Sequence, residues 1–156
     1  MLHTTHQSEL TWELKRDHRT IQSLLDRIRG AGAGSVEQER LVWHAAAECA
    51  RHAVAERRFL LPLVRCEMRG GDVLAGRLAA EYPDVAGVLD RVASDSFRDA
   101  GFGAGLADLA AAFDRHVRFC EGQLFPRVCR TCSAVELARL GAEFHRHAQR
   151  HHADIA

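Results

Sequence analysis

The chain has no apolar run approaching the ~20 residues that cross a bilayer. It has no surplus of charge of either sign, since Lys+Arg and Asp+Glu number 21 each. A nucleic-acid partner normally shows as a basic excess, so none is expected, and neither is a membrane partner. Lysine is almost absent: Lys15 is the single one and the other basic residues are arginine. The opening residues, Met1 to His6, lack a basic segment followed by an apolar stretch, so no signal peptide is expected and the expected location is cytoplasmic. In that compartment five cysteines read as thiols, ligands or redox groups more readily than as structural disulfides. The alternating Val/Ile/Thr runs and hairpin turns of strands are missing as well. What remains is a 156-residue chain, 47% apolar, of a size for one domain with one core. It also carries ten histidines.

The apolar spacing is helical throughout. Positions 10, 14, 18, 21, 25 and 28 advance by threes and fours, as do 41, 45, 48, 52, 56, 59 and 63, which keeps each set on one helix face. Glycines and caps divide the chain. The segment Gly30 to Ser35 ends a first helix and caps a second, and Gly70, Gly71 and Asp72 end the second and cap a third. A glycine-containing loop is predicted from about Ser94 to Gly105, before the fourth helix. Ser133 and Glu136 fit a capping box that opens a fifth. Pro83, inside the third helix, should kink it. The fold class is therefore all-α: an up-down-up-down four-helix bundle over about residues 8–131, plus a C-terminal fifth helix over about 133–153, within a single domain spanning 1–156.

The sequence repeats at an offset of 64 residues. Leu10, Leu14, His18, Ile21, Leu24, Leu25 and Ile28 return as Leu74, Leu78, Tyr82, Val85, Val88, Leu89 and Val92. His52, Glu56 and Pro62 return as His116, Cys120 and Pro126. The bundle thus reads as one helical hairpin, duplicated. His52 and Glu56, at i and i+4, project from one helix face about one turn apart and can share one cation or span two. His18 lies ten residues into its helix from Ser8, and His52 ten residues before Pro62. In an antiparallel pair each is about 15 Å from the same bundle end. His18, His52, Glu56 and His116 can therefore converge, with Tyr82 and Cys120 opposite at the same height.

These residues resemble the hemerythrin-like family, also called the HHE cation-binding domain. The likeness rests on Asp17-His18, on His52 with Glu56 and Pro62, and on His116 with Cys120, Glu121 and Pro126. It covers about residues 8–130. It implies a four-helix bundle holding two non-haem irons, with a histidine from each helix and a bridging carboxylate from helices two and four. Carried over by position, His18, His52, Glu56 and His116 match metal ligands. Two positions depart from the pattern, Tyr82 for the third-helix histidine and Cys120 for the second carboxylate, and they argue against an ordinary symmetric di-iron centre. Tyrosinate suits ferric iron and thiolate suits zinc or iron, so Tyr82 and Cys120 are candidate ligands and candidate catalytic groups. Glu121 follows Cys120 directly, but one residue is a rotation of about 100°, which points it elsewhere unless the helix bulges. Glu48, one turn before His52, is the better substitute carboxylate, and His44 lies farther round, in solvent.

The cofactor expected is non-haem iron, one or two ions, with zinc as the alternative. The resemblance implies a protein that senses, carries or handles a small oxidant: dioxygen, peroxide or nitric oxide. Two other readings stand beside it. One is an enzyme of the non-haem iron oxidase or oxygenase type, or a zinc-dependent one, acting on a small organic molecule. The other is a zinc-binding thiol-switch module. The expected partner is a small diatomic or other small molecule, and the chain is expected to be a monomer or weak homodimer. Two satellite groups complete the inventory. His147 and His151, at i and i+4 of the fifth helix, have ligand or haem-compatible spacing, although that helix end reads as solvated. Cys129 and Cys132 form a CxxC that can meet Cys66, His3 and His6 at one bundle end, in a second small zinc site or a thiol switch.

Overall fold

Leu10–Gly30 forms α1, whose inward stripe of Leu10, Leu14, His18, Ile21, Leu24, Leu25 and Ile28 is wholly buried. The computed structural model describes residues 9–94 and 98–153, with the side chains of 151–153 excepted. His3, His6, Ile155 and the side chain of His151 lie outside the described residues. The amide of Ala31 closes α1 on the carbonyls of Arg27 and Ile28. Gly34 then takes a positive φ of 71°, a turn that a residue with a Cβ enters at a cost. Ser35 caps α2 (Val36–Ala55), its hydroxyl accepting from the Gln38 amide at 3.1 Å.

α2 does not stop at Ala55. It widens into a π-helical turn, Glu56–Leu60, and continues as α3, Leu61–Glu67. The fourth bundle helix does the same: α6 (Ala100–Phe119), a π turn at Cys120–Leu124, then α7 (Phe125–Thr131). Each π turn closes from the residue before a proline. The amide of Leu61 bonds the Glu56 carbonyl, and that of Phe125 bonds the Cys120 carbonyl. Proline at the next position has no amide to offer an α-helical ladder and crowds the carbonyl four residues back, so the wider i→i−5 turn relieves both faults. The repeat extends to this defect.

The third bundle helix departs from expectation. Pro83 does not kink it but breaks it, into α4 (Gly71–Ala80) and α5 (Val85–Ala93). The helical region is disfavoured for the residue before a proline, and at Tyr82, with no widened turn to relieve the crowding, the chain leaves the helix. Asp84 then restarts the helix by accepting from the Gly87 amide at 2.9 Å. The predicted loop from Ser94 to Gly105 is also shorter than expected, because α6 begins at Ala100 and absorbs Gly101, Gly103 and Gly105. α8 (Ala134–Ala153) completes the chain. Its first turn is capped by the Ser133 hydroxyl, but Glu136 pairs with Arg139 instead of completing the box. No strand occurs among the described residues, and the architecture is a four-helix bundle with an added C-terminal helix.

The core has two apolar parts. One gathers Leu10, Leu14, Leu60, Val64, Leu78, Leu124, Phe125 and Val128, with Leu137, Leu140 and Phe144 of α8 laid against them. The other gathers Ile21, Leu24, Leu25, Leu41, Val88, Phe102, Leu109 and Phe113. Each fully buried side chain of this kind contributes roughly 1.5–3 kcal/mol. In sequence, His18 falls between Leu14 and Ile21, His52 between Cys49 and Ala55, and His116 between Phe113 and Phe119. The two apolar parts therefore bracket a polar layer.

Candidate metal centre

In that layer His18, His52, Glu56 and His116 are all buried, and one ligand atom from each lies within 4.8 Å of the others. The rings of His18 and His52 are 4.8 Å apart, His18 and His116 5.3 Å, and His52 and His116 5.5 Å. His52 Nε2 faces His116 Nε2 at 3.3 Å, and Glu56 Oε1 lies 3.3 Å from the first and 3.4 Å from the second. Phe113 and Phe125 wall the group: Phe125 stacks on His18 at 5.8 Å, and Phe113 stands 5.7–6.3 Å from all three imidazoles.

Two atoms of this group, His18 Nε2 and Glu56 Oε2, are buried without a hydrogen-bond partner. Leaving a buried polar atom unsatisfied costs about 1–3 kcal/mol, more when the group is charged. Three imidazole nitrogens and a carboxylate, aimed at one point and partly unsatisfied, form a donor set that fits a transition-metal cation. The residues present thus fit an ion of the kind the bundle suggests.

The outward nitrogens are tied down. His18 Nδ1 meets Glu121 Oε1 at 2.8 Å, and Arg19 clamps the same carboxylate with bonds of 3.0 and 2.8 Å. His52 Nδ1 meets Asp17 Oδ2 at 3.3 Å, and Arg51 reaches Asp17 Oδ1 at 2.7 Å. A carboxylate on one ring nitrogen fixes the tautomer and leaves the other nitrogen free for a metal. Glu121 stands here because the π turn rotates the chain after Cys120, the bulge on which its reach depended. Neither Glu121 nor Asp17 was expected as a partner of these imidazoles. The available signal was an acid or an arginine directly beside each histidine: Asp17 and Arg19 flank His18, and Arg51 precedes His52.

Electrostatics divides the histidines. Burial, reinforced by the charge on His52, pushes His18 down to about 4. For His52 burial works the same way, but the Glu56 carboxylate and the Asp17 bond outweigh it and raise the ring to about 9. Burial would raise Glu56, yet His52 and the bond from His116 hold its carboxyl well below the usual range. Without an ion the layer is thus organised around a His52–Glu56 charge pair.

The altered positions border the group without joining it. Cys120 Sγ is buried, 3.8 Å from Glu56 Oε1 and 3.7 Å from His116 Nε2. Burial and the Glu56 charge push its thiol well up. The Tyr82 ring is 5.9 Å from that of His116, and its hydroxyl is buried without a partner. Burial, then the charge of the Glu56 carboxylate, which lies within reach of the hydroxyl without closing a well-formed bond, raises that phenol too. Burial and the Glu56 charge thus favour the protonated thiol and phenol at these two positions.

Glu48 is not brought to the group. Its carboxylate bonds Arg51 at 2.8 and 3.1 Å and lies 4.0 Å from His44, which is exposed. The arginine that braces Asp17 takes up Glu48 as well. His147 is buried, against expectation, because it continues the stripe of Leu137, Leu140 and Phe144; it packs on Phe59 at 5.8 Å and is not a member of the group. Cys66, Cys129 and Cys132 are free thiols that form no metal-holding group among the described residues.

A helical bundle with a buried His/Glu layer between two apolar cores defines a class of cation-binding helical proteins. The model of one such family, the Hemerythrin HHE cation binding domain, matches residues 9–128. The chain belongs to that family. No curated protein and no solved structure matches it.

Proposed function

We propose that the chain holds one non-haem iron at His18, His52, His116 and Glu56, and that it senses, carries or handles a small oxidant there: dioxygen, peroxide or nitric oxide. The observation that carries this is the single point of convergence. Four donor groups meet, and His18 Nε2 and Glu56 Oε2 among them lack hydrogen-bond partners, while the repeat-related half-site offers a thiol and a phenol. When bound, iron supplies a Lewis-acidic position and a one-electron redox couple. The protein supplies the rest. Glu121 and Asp17 hold the imidazoles in place. Phe113 and Phe125 wall the imidazoles with apolar rings.

No described helix is long and apolar enough to cross a membrane. A monomer or weak homodimer, in the cytoplasm and without nucleic acid, remains part of the proposal. Zinc is the second reading, supported by a donor count that already equals the tetrahedral four and by the nearby Cys120 sulfur. Metal analysis with an optical spectrum of freshly purified protein decides between them. About one iron per chain with ligand-sensitive bands is the expected result. Stoichiometric zinc without visible absorption overturns the oxidant reading, and two irons per chain overturn the single-ion reading.

A further inference from the structure

The wall that faces His116 is unlike the other three. α1 passes the site as unbroken helix, and α2 with α3, and α6 with α7, pass it as helix widened by one π turn. Residues 81–84, between α4 and α5, are not helical. Tyr82 comes from that gap. It occupies the repeat position of His18, and Pro83 and the Asp84 cap fix the backbone on its far side. Its side chain is part-buried, so it runs from the surface inward. The ring reaches to 5.9 Å from His116, and the hydroxyl ends buried and unpartnered. Arg57 sits over the ring at 5.5 Å, on the solvent side.

A buried phenolic hydroxyl usually finds a partner, because leaving it unsatisfied is costly. Here the unsatisfied atoms occur together: Tyr82 Oη, Glu56 Oε2 and His18 Nε2. An ion satisfies the last two, since both are acceptors or ligands. It cannot satisfy a protonated hydroxyl, which needs an acceptor of its own. The Glu56 carboxylate lies within reach of the hydroxyl without a closed hydrogen bond between them, so once Glu56 turns to an ion the acceptor left for the hydroxyl is a ligand held beside that ion. The Arg57 guanidinium places positive charge outside the same gap, which favours an anionic or strongly polar visitor.

We propose that Tyr82 is both the plug between solvent and the metal position and the hydrogen-bond donor to the small acceptor ligand held there, a species of two or three heavy atoms such as azide or hydroperoxide. This inference rests on the single-ion reading above. As a plug, the ring fills the gap left by the broken helix. As a donor, the hydroxyl selects ligands with a free lone pair pointing toward α4 and α5. Tyr82 is then a positioning and specificity residue, not a metal ligand.

The test uses the full chain loaded with Co(II), whose visible bands report a bound anion, with azide as probe. Tyr82→Phe keeps the ring and removes the donor. It should weaken azide about tenfold, the effect of one lost hydrogen bond, and leave the rate at which a chelator strips the cobalt unchanged. Tyr82→Ala opens the gap and should speed that stripping at least about tenfold. Helicity by circular dichroism checks that both variants fold. If wild-type protein binds no Co(II), the metal reading itself fails. If cobalt binds and Tyr82→Phe holds azide like wild type, the donor role is overturned. If Tyr82→Ala releases cobalt at the wild-type rate, the plug role is overturned.

Discussion

Glu121 and Asp17 act on the site from one atom further out than any ligand. Each accepts from an imidazole Nδ1, and each is held by an arginine, at 2.8 Å for Arg19 on Glu121 and 2.7 Å for Arg51 on Asp17. Burial would raise both carboxyls, but the bonds outweigh it: Arg19 and His18 hold Glu121 low, and His52 and Arg51 hold Asp17 low. Outer partners of this kind typically change metal affinity 10–100-fold. Glu121→Gln and Asp17→Asn keep shape and lose charge, so each should weaken Co(II) binding by about that factor in a competition titration while leaving the helical spectrum intact. Unchanged affinity in both would show that the imidazoles are oriented by packing on Phe113 and Phe125 alone. The cysteines separate at this same scale. Burial and the Glu48 charge push Cys49 up to about 12, and Cys120 is fully enclosed. Both are thus neutral thiols at pH 8, whereas Cys66 and Cys129 are exposed. Iodoacetamide on native protein at pH 8 should label Cys66 and Cys129 and spare Cys49 and Cys120, with mass spectrometry as readout. Early labelling of Cys120 would mean that the layer opens to solvent.

The paired π turns are the element-scale feature that decides the site. A period of 3.6 residues carried straight through Cys120 swings Glu121 off the inner face. The extra residue in the turn returns it to 2.8 Å from His18. The apolar stripes were legible in the sequence because leucines and valines survive the 64-residue shift. The bulges were not, because periodicity assumes one constant turn, and a proline six residues past Glu56 or Cys120 marks a helix continuation as readily as a defect. For the same reason Pro83 read as a kink where the chain breaks, and Gly101, Gly103 and Gly105 read as a loop where helix forms. Glycine weakens a helix by roughly 1 kcal/mol without forbidding it. Gly122 sits exposed in the second π turn, with nothing within 4 Å of an added Cβ. Deleting Gly122 should therefore return this stretch to α-helix with the flanking packing kept, rotate Glu121 away from His18, and weaken Co(II) about as much as Glu121→Gln does. A deletion variant that binds Co(II) like wild type would show that the π turn does not position Glu121.

At the scale of the whole molecule, the bundle keeps a costly layer in the middle of its core. Three imidazoles and a carboxylate occupy positions where leucines would each contribute roughly 1.5–3 kcal/mol. The metal-free layer still leaves His18 Nε2 and Glu56 Oε2 unsatisfied. The four side chains come from α1, from α2 with its π turn, and from α6, so one ion would fasten these elements to one another. An ion that binds the folded chain and not the unfolded one stabilises it by about 2.7 kcal/mol at a hundred times its dissociation constant. For a chain of this length that is a rise in Tm of about 5–10 °C. Metal-stripped protein should show that rise on adding Co(II), and His116→Ala, which removes one donor from α6, should lose most of it. Because the apolar clusters on either side do not involve the ion, the unloaded protein should still melt cooperatively. A metal-free chain that melts without a transition would mean that the two clusters cannot fold around the empty polar layer, and the ion would then be part of the fold instead of a guest in it.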